Sequence, residues 1–215
     1  MMVSAEDDPR RAGTIWTHDL DQPAPVVSPL LPATFRRVGQ ESVSTLAALS
    51  GGDGLAEMRK RLDMGRFCYT AWVEGNLTAY GWVSFNEEIV GELDLRLHLL
   101  PGEAYLWDCF TLPAYRGQRL YSALLAYMVA ELRAEKFCRA WIGADLDNLP
   151  SQRGIARAGF LHVADLVVAR VLALRMVWVQ AQPGVPASLV AEARRAFLGD
   201  RDRVWLDALS TVKSI

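Results

Sequence analysis

The chain has 215 residues, the size of one ordinary domain with some extra length. Half of them (51%) are hydrophobic, which excludes wholesale disorder, and a net charge of −2 excludes a surface that recruits nucleic acid as a whole. The three cysteines, Cys68, Cys109 and Cys138, are widely spaced with no CxxC pair, which argues against a disulfide framework or a zinc site.

Residues 1–33 are polar, then proline-rich (Pro23, Pro25, Pro29, Pro32), and read as an N-terminal arm or linker with one short strand around Thr14 to Thr17. Residues 1–13 lack the apolar segment of a secretory leader. The most apolar window, Val163 to Ala181, is interrupted by Asp165, Arg170 and Arg175, so we expect a soluble cytoplasmic protein with no membrane partner. Phe35 to Val38 reads as a strand, and Glu41 to Leu49 and Leu55 to Leu62 as helices around the turn cluster Gly51-Gly-Asp-Gly54. Phe67 to Val73 and Leu77 to Phe85, joined by Glu74-Gly-Asn76, read as an antiparallel hairpin. Asn86 to Gly91 reads as a polar turn. Glu92 to Leu99 alternates leucines with Glu92, Asp94, Arg96 and His98, the pattern of a half-exposed strand.

After the Pro101-Gly102 turn, Tyr105 to Thr111 is apolar on both faces and reads as a central strand. A helix over Leu120 to Ala134 and a short strand over Arg139 to Ala144 follow. Asn148 as N-cap, Pro150 in the first turn and Gly159 past the end bracket a further helix that runs to Ala158. Val163 to Val179 supplies one or two strands, Pro186 to Leu198 a helix, and Arg201 to Leu209 another. Residues 34–180 therefore read as an α/β (α+β) domain, a mixed, mostly antiparallel central sheet flanked by helices on both faces, with residues 181–215 as a C-terminal helical tail.

The segment richest in chemistry is Leu112-Pro-Ala-Tyr-Arg-Gly-Gln-Arg-Leu-Tyr-Ser122, a basic, glycine-containing turn between the central strand and the helix from Leu120. A helix start offers unpaired backbone N–H groups and a partial positive charge, which suit phosphate. Gly117 lets the backbone approach an anion closely, and Arg116 and Arg119 add planar cationic donors. The turn lacks the Lys-Ser or Lys-Thr end of a nucleoside-triphosphate loop and no GxGxxG is present, so a nucleotide-phosphate enzyme is the weaker reading.

Two motifs at this separation resemble the GNAT superfamily of acetyl-CoA-dependent N-acetyltransferases. Pro113-Ala-Tyr-Arg-Gly-Gln-Arg-Leu-Tyr121 looks like the family's acyl-CoA pyrophosphate loop, whose usual form is Arg-Gly-x-Gly-x-Gly or Ala. Asn148-Leu-Pro-Ser151 followed by Ala158-Gly-Phe160 looks like its later helix, and the resemblance covers about Phe35 to Val179. It implies acetyl-CoA as cosubstrate and acetyl transfer to an amine of a small molecule or protein, by direct attack in a ternary complex. It also implies that the backbone of Cys109, Phe110 and Thr111 pairs with the pantetheine arm. The helix start at Arg116, Gly117, Gln118, Arg119, Leu120, Tyr121 and Ser122 would surround the diphosphate, and Asn148 and Ser151 would lie near the pantetheine or thiol. Arg119 stands where a second glycine is usual and either clamps or crowds the phosphates; a helical backbone there, with the side chain swung out, would favour clamping. The tyrosine that many members carry on the later helix to protonate the thiolate is replaced by Ile155. Ser151 or Tyr121 could substitute, or the thiolate could leave unprotonated. The alternative reading is a non-catalytic relative, an acyl-CoA-binding or regulatory module.

Amine acetylation needs a neutral amine, so a base is expected, often acting through water. Asp108, in the middle of an apolar strand, is the first candidate, because burial would raise its pKa toward the useful range; the same aspartate could instead pair with an arginine or cap a neighbouring backbone group. Glu103, at the start of that strand, is the second candidate. Glu87 and Glu88 could bind a cationic acceptor or simply be solvated. His98 and His162 have no partner at ligand spacing, so no metal is expected, and Cys109 has no histidine nearby in sequence to make it a nucleophile. The apolar Val167 to Trp178 suggests a homodimer face.

Overall fold

The computed structural model describes residues 10–49, 54–90, 95–171 and 174–199. Within them the chain runs β1 (Arg10–Asp19), β2 (Thr34–Val38), α1 (Val43–Leu49), α2 (Leu55–Asp63), β3 (Phe67–Val73), β4 (Asn76–Ser84), β5 (Glu87–Val90), β6 (Leu95–His98) and β7 (Glu103–Thr111). It continues with α3 (Leu120–Ala134), β8 (Arg139–Asp145), α4 (Leu149–Arg157), β9 (Leu161–Val171), β10 (Leu174–Ala181) and α5 (Ala187–Leu198). Eight strands form one sheet in the order β10-β9-β1-β8-β7-β4-β3-β2, and β5 and β6 pair separately. Every neighbouring pair in the large sheet is antiparallel except β7 with β8. The expected mixed, mostly antiparallel sheet is therefore present.

Alternate side chains on β7 point to opposite faces, as strand geometry requires. Ala104 and Leu106 enter an apolar cluster with Leu120, Leu124 and Met128 of α3 and Ile155 of α4. Tyr105 enters a second cluster with Val190, Ala193 and Phe197 of α5. Trp107 borders a third, where Leu46 of α1 and Met58 of α2 cover Trp82. Helices thus cover both faces.

Several expectations are corrected. Arg10–Asp19 is not a surface arm: β1 lies inside the sheet, paired over residues 13–19 with β8 and over residues 10–17 with β9. Its polar side chains can be buried because they are satisfied. Thr14 Oγ1 and Thr17 Oγ1 donate to the carbonyls of Ala144 and Ala140, each at 3.0 Å, and Trp16 Nε1 donates to Thr14 Oγ1 at 2.8 Å. Glu87–Val90 is a strand rather than a turn, its backbone paired with β6. The helix from Pro186 is no appendage, since Ala193, Ala196 and Phe197 are fully or almost fully buried. The Val167–Trp178 segment spans the β9–β10 hairpin, in which β9 is interior and only β10 is a sheet edge. The helix expected over residues 201–209, and residues 91–94 of the expected strand before Leu95, lie outside the described residues. No helix among the described residues is long and apolar enough to cross a membrane.

Candidate active site

β7 and β8 pair in parallel only from Glu103↔Arg139 to Leu106↔Ile142. Beyond Leu106 the pairing stops, so the edge of β7 from Trp107 onward has no strand partner on that side among the described residues. The separation coincides with a bulge. Tyr80 pairs with Phe110 and Trp82 with Trp107, so Asp108 and Cys109 together face Gly81. Asp108 takes a left-handed backbone (φ 41°) there, which aspartate tolerates better than most residues.

Two adjoining cavities open at this gap. The first, about 380 Å³, is bounded by Tyr105, Trp107, Asp108 and Cys109 of β7 and by Gly143 and Asp145 of β8, among others. The second, about 550 Å³, runs along the turn before α3 and the side of α4. Cys109, Tyr121, Asn148 and Ser151 line both.

The turn has the geometry of an anion cradle. Gly117 (φ 77°) and Arg119 (φ 58°) are both left-handed. Arg119 is therefore not helical, as expected above, but the left-handed N-cap of α3. This conformation explains why glycine suits the position, and Arg119 lines the second cavity. Nothing lies within 4 Å of where a Gly117 Cβ would stand, so the loop leaves open space above its backbone. The N–H groups of Gly117 to Ser122 have no hydrogen-bond partner among the described residues, whereas that of Arg116 is bonded to Pro113 O at 3.2 Å. Arg116 Nε donates to Thr111 O at 3.2 Å, so that carbonyl is already occupied.

Across the gap, Asn148 caps α4 by accepting from the Ser151 N–H at 3.1 Å. The hydroxyls of Ser151 and Tyr121 meet at 3.1 Å. The Tyr121 ring lies flat against α4 because residue 154 is glycine: a Cβ there would stand 2.5 Å from Tyr121 Cδ1. Burial pushes the Tyr121 phenol well above the ordinary tyrosine range, only partly offset by its bond to Ser151. Burial likewise raises the Cys109 thiol, with the Asp108 charge adding to it, so Cys109 is a protonated wall and not a ready nucleophile. Ile155 is fully buried in the core, which leaves its position without an acid.

Asp108 does not sit buried in its strand. Its side chain is 31% exposed and its Oδ2 meets Arg61 Nη1 at 2.5 Å, the arginine partnership considered above. Arg61, on α2, is almost fully buried; it also meets Glu57 at 3.3 Å and lies 4.7 Å above the Trp107 ring. Glu103 is excluded from the site. It lies at the other end of β7, five residues or roughly 16 Å from Asp108 at the strand rise. There it accepts from Leu100 N at 2.8 Å and from Arg195 at 2.5 Å, tying α5 to the sheet. Glu88 is neither solvated nor free: it meets Arg66 at 2.8 Å and accepts from Ser84 Oγ at 2.5 Å. Phe110 stacks on Tyr80, 5.7 Å between centroids, and faces away from both cavities. Gln118 lines neither, its carbonyl accepting from Leu30 N at 3.0 Å.

Sequence reasoning missed Arg61, Trp107, Asp145, Arg153 and Arg157. Arg153 and Arg157 line the second cavity from one face of α4, and their i, i+4 spacing on a helix already delimited was a usable signal. Asp145 lines the first cavity and has no side-chain partner among the described residues. Among those residues no three His, Cys, Asp or Glu side chains are grouped to hold a metal.

The family model described as Acetyltransferase (GNAT) family matches residues 41–160. The fold is similar to that of a GNAT-family acetyltransferase from Colwellia psychrerythraea, with a TM-score of 0.56 at 14% identity, covering 82% of this chain and 58% of that one. It is also similar to a Drosophila protein (TM-score 0.51, 17% identity, 82% and 52% covered). A GNAT-family acetyltransferase from Streptococcus pneumoniae is a third (TM-score 0.51, 11% identity, 70% and 100% covered). This chain thus spans little more than half the length of the first two. No curated protein sequence matches.

Proposed function

The chain belongs to the GNAT acetyltransferase family, and we propose that it moves an acetyl group from acetyl-CoA to an amine by direct attack with both substrates bound. The observation that carries the reading is the turn from Gly117 to Ser122, whose N–H groups have no partner among the described residues, beside the parted strands β7 and β8. Those amides suit a diphosphate, and the unpaired edge of β7 suits the amides of a pantetheine arm. Bound acetyl-CoA supplies the thioester carbonyl and the thiolate leaving group.

The chain's own residues then divide the remaining work. Asp108 and Asp145 draw a protonated amine into the first cavity. Arg61 fixes the orientation of Asp108, leaving Asp145, without a side-chain partner among the described residues, to accept the amine's proton through water. Tyr121 lines both cavities and carries a proton at Oη for the departing sulfur. Ser151 orients this hydroxyl.

Release of free thiol from acetyl-CoA, measured against a panel of amines, tests the reading. We expect release that depends on the amine, slowed about 10²–10⁴-fold in Tyr121→Phe as for loss of a general acid, with coenzyme affinity retained. Tight coenzyme binding with no amine-dependent release would favour the non-catalytic alternative.

A further inference from the structure

The second cavity is lined by four arginines, Arg116, Arg119, Arg153 and Arg157, and by no aspartate or glutamate. In a chain with more acidic than basic residues, 25 against 23, so one-sided a lining is a local feature and not a consequence of composition. Five arginines elsewhere in the fold are paired with carboxylates: Arg37 with Glu135, Arg61 with Glu57 and Asp108, Arg66 with Glu88, Arg139 with Glu192, Arg195 with Glu103. The four lining the cavity have no carboxylate partner among the described residues. Unpaired like charges grouped on one concave surface repel each other, and an anion removes that cost.

A diphosphate alone does not use them all. The amides of residues 117–122 have no partner among the described residues and are available to it, and Arg116 is fixed to the same turn by its bond to Thr111 O. Arg119, Arg153 and Arg157 remain, the last two one helical turn apart on α4. Coenzyme A carries a second phosphate group, a 3′-phosphomonoester on its ribose with about 1.5 to 2 negative charges near pH 7. Guanidinium groups suit such a dianion, since each offers two parallel N–H donors.

We propose that Arg119, Arg153 and Arg157 recognise the coenzyme's 3′-phosphate and make this protein selective for CoA over 3′-dephospho-CoA. The inference rests on the acetyl-CoA reading and adds to it a specificity that the turn alone does not supply.

Calorimetric titration of the full chain with CoA and with 3′-dephospho-CoA, at low and moderate salt, tests it without any turnover. The wild type should bind CoA at least about tenfold more tightly, a preference that shrinks as salt rises. In R153Q/R157Q the affinity for CoA should fall about tenfold while that for 3′-dephospho-CoA stays within about twofold, so the second ligand also reports that the variant is folded. R119Q should act in the same direction. Equal wild-type affinity for the two ligands would overturn the proposal while leaving the coenzyme reading intact, and so would equal losses of both in the double variant. Failure of the wild type to bind either ligand would remove the coenzyme reading and this inference together.

Discussion

Single residues carry two distinct demands at the turn before α3. Gly117 is needed for its backbone, which has φ 77°, and not for lack of room. A β-branched residue in that region costs about 1–2 kcal/mol, and the loop is exposed, so Gly117→Val should reshape the turn and leave the core alone. We expect coenzyme affinity to fall at least about tenfold with little change in thermal midpoint; normal binding would show that the turn is not the diphosphate site. Arg119 already adopts the left-handed conformation at the N-cap of α3 without being glycine. His18 illustrates a different effect. It is almost fully buried at the end of β1, and desolvation lowers its pKa from 6.5, only partly offset by its bond to the Asp19 carbonyl. The unfolded chain therefore takes up this proton at a higher pH than the folded one. Stability present above pH 6.5 is lost as pH falls through the lower folded value. Urea unfolding at pH 7.5 and 5.5 should show a smaller drop for His18→Gln than for the wild type; identical slopes would assign the acid sensitivity to other groups.

At the level of elements, the site depends on how α3 and α4 meet. Tyr121 can turn its ring onto α4 only because Gly154 has no side chain. Gly154→Ala would place a methyl 2.5 Å from Cδ1 of that ring, so the ring must swing and the 3.1 Å contact to Ser151 Oγ must open. We expect amine-dependent turnover to fall toward the level of Tyr121→Phe, although alanine favours helix by about 1 kcal/mol over glycine; unaltered turnover would separate the tyrosine from the chemistry. The proline-rich stretch between β1 and β2 bears on the same place. Leu30 N–H holds the Gln118 carbonyl at 3.0 Å, bracing the turn from outside the sheet. The bulge on β7 sets the direction of Asp108, and α2 supplies the arginine that holds it. Helix boundaries followed from local signals: Leu120–Ala134 is seen as expected, and the Asn148 cap and the Gly159 ending (φ 90°) bracket α4. Those signals lie within a turn or two of the positions they govern.

For the whole molecule the decisive feature is β1. It pairs with β8 on one side and β9 on the other, so the half of the sheet beyond β8 is joined to the rest through it. Ile15 is fully buried between these neighbours, and Ile15→Ala should cost about 2–5 kcal/mol. Removal of residues 1–19 should abolish cooperative unfolding, read by near-ultraviolet circular dichroism during a thermal scan; a truncated chain that still melts sharply would show that β8 and β9 can close the gap themselves. By itself the sequence determined most of the helices and strands from Phe35 onward, the α4 cap, the phosphate-cradling turn and the family to which they belong, because periodicity and capping are short-range properties. Tertiary structure alone decided that β1 is interior, that Glu103 lies at the wrong end of its strand, that Asp108 is held by an arginine 47 positions away, and that four arginines line one cavity. The reason is physical: an alternating pattern shows that a strand has a buried face but not which strand lies beside it, and a charge finds its partner by distance in space, which sequence separation does not encode.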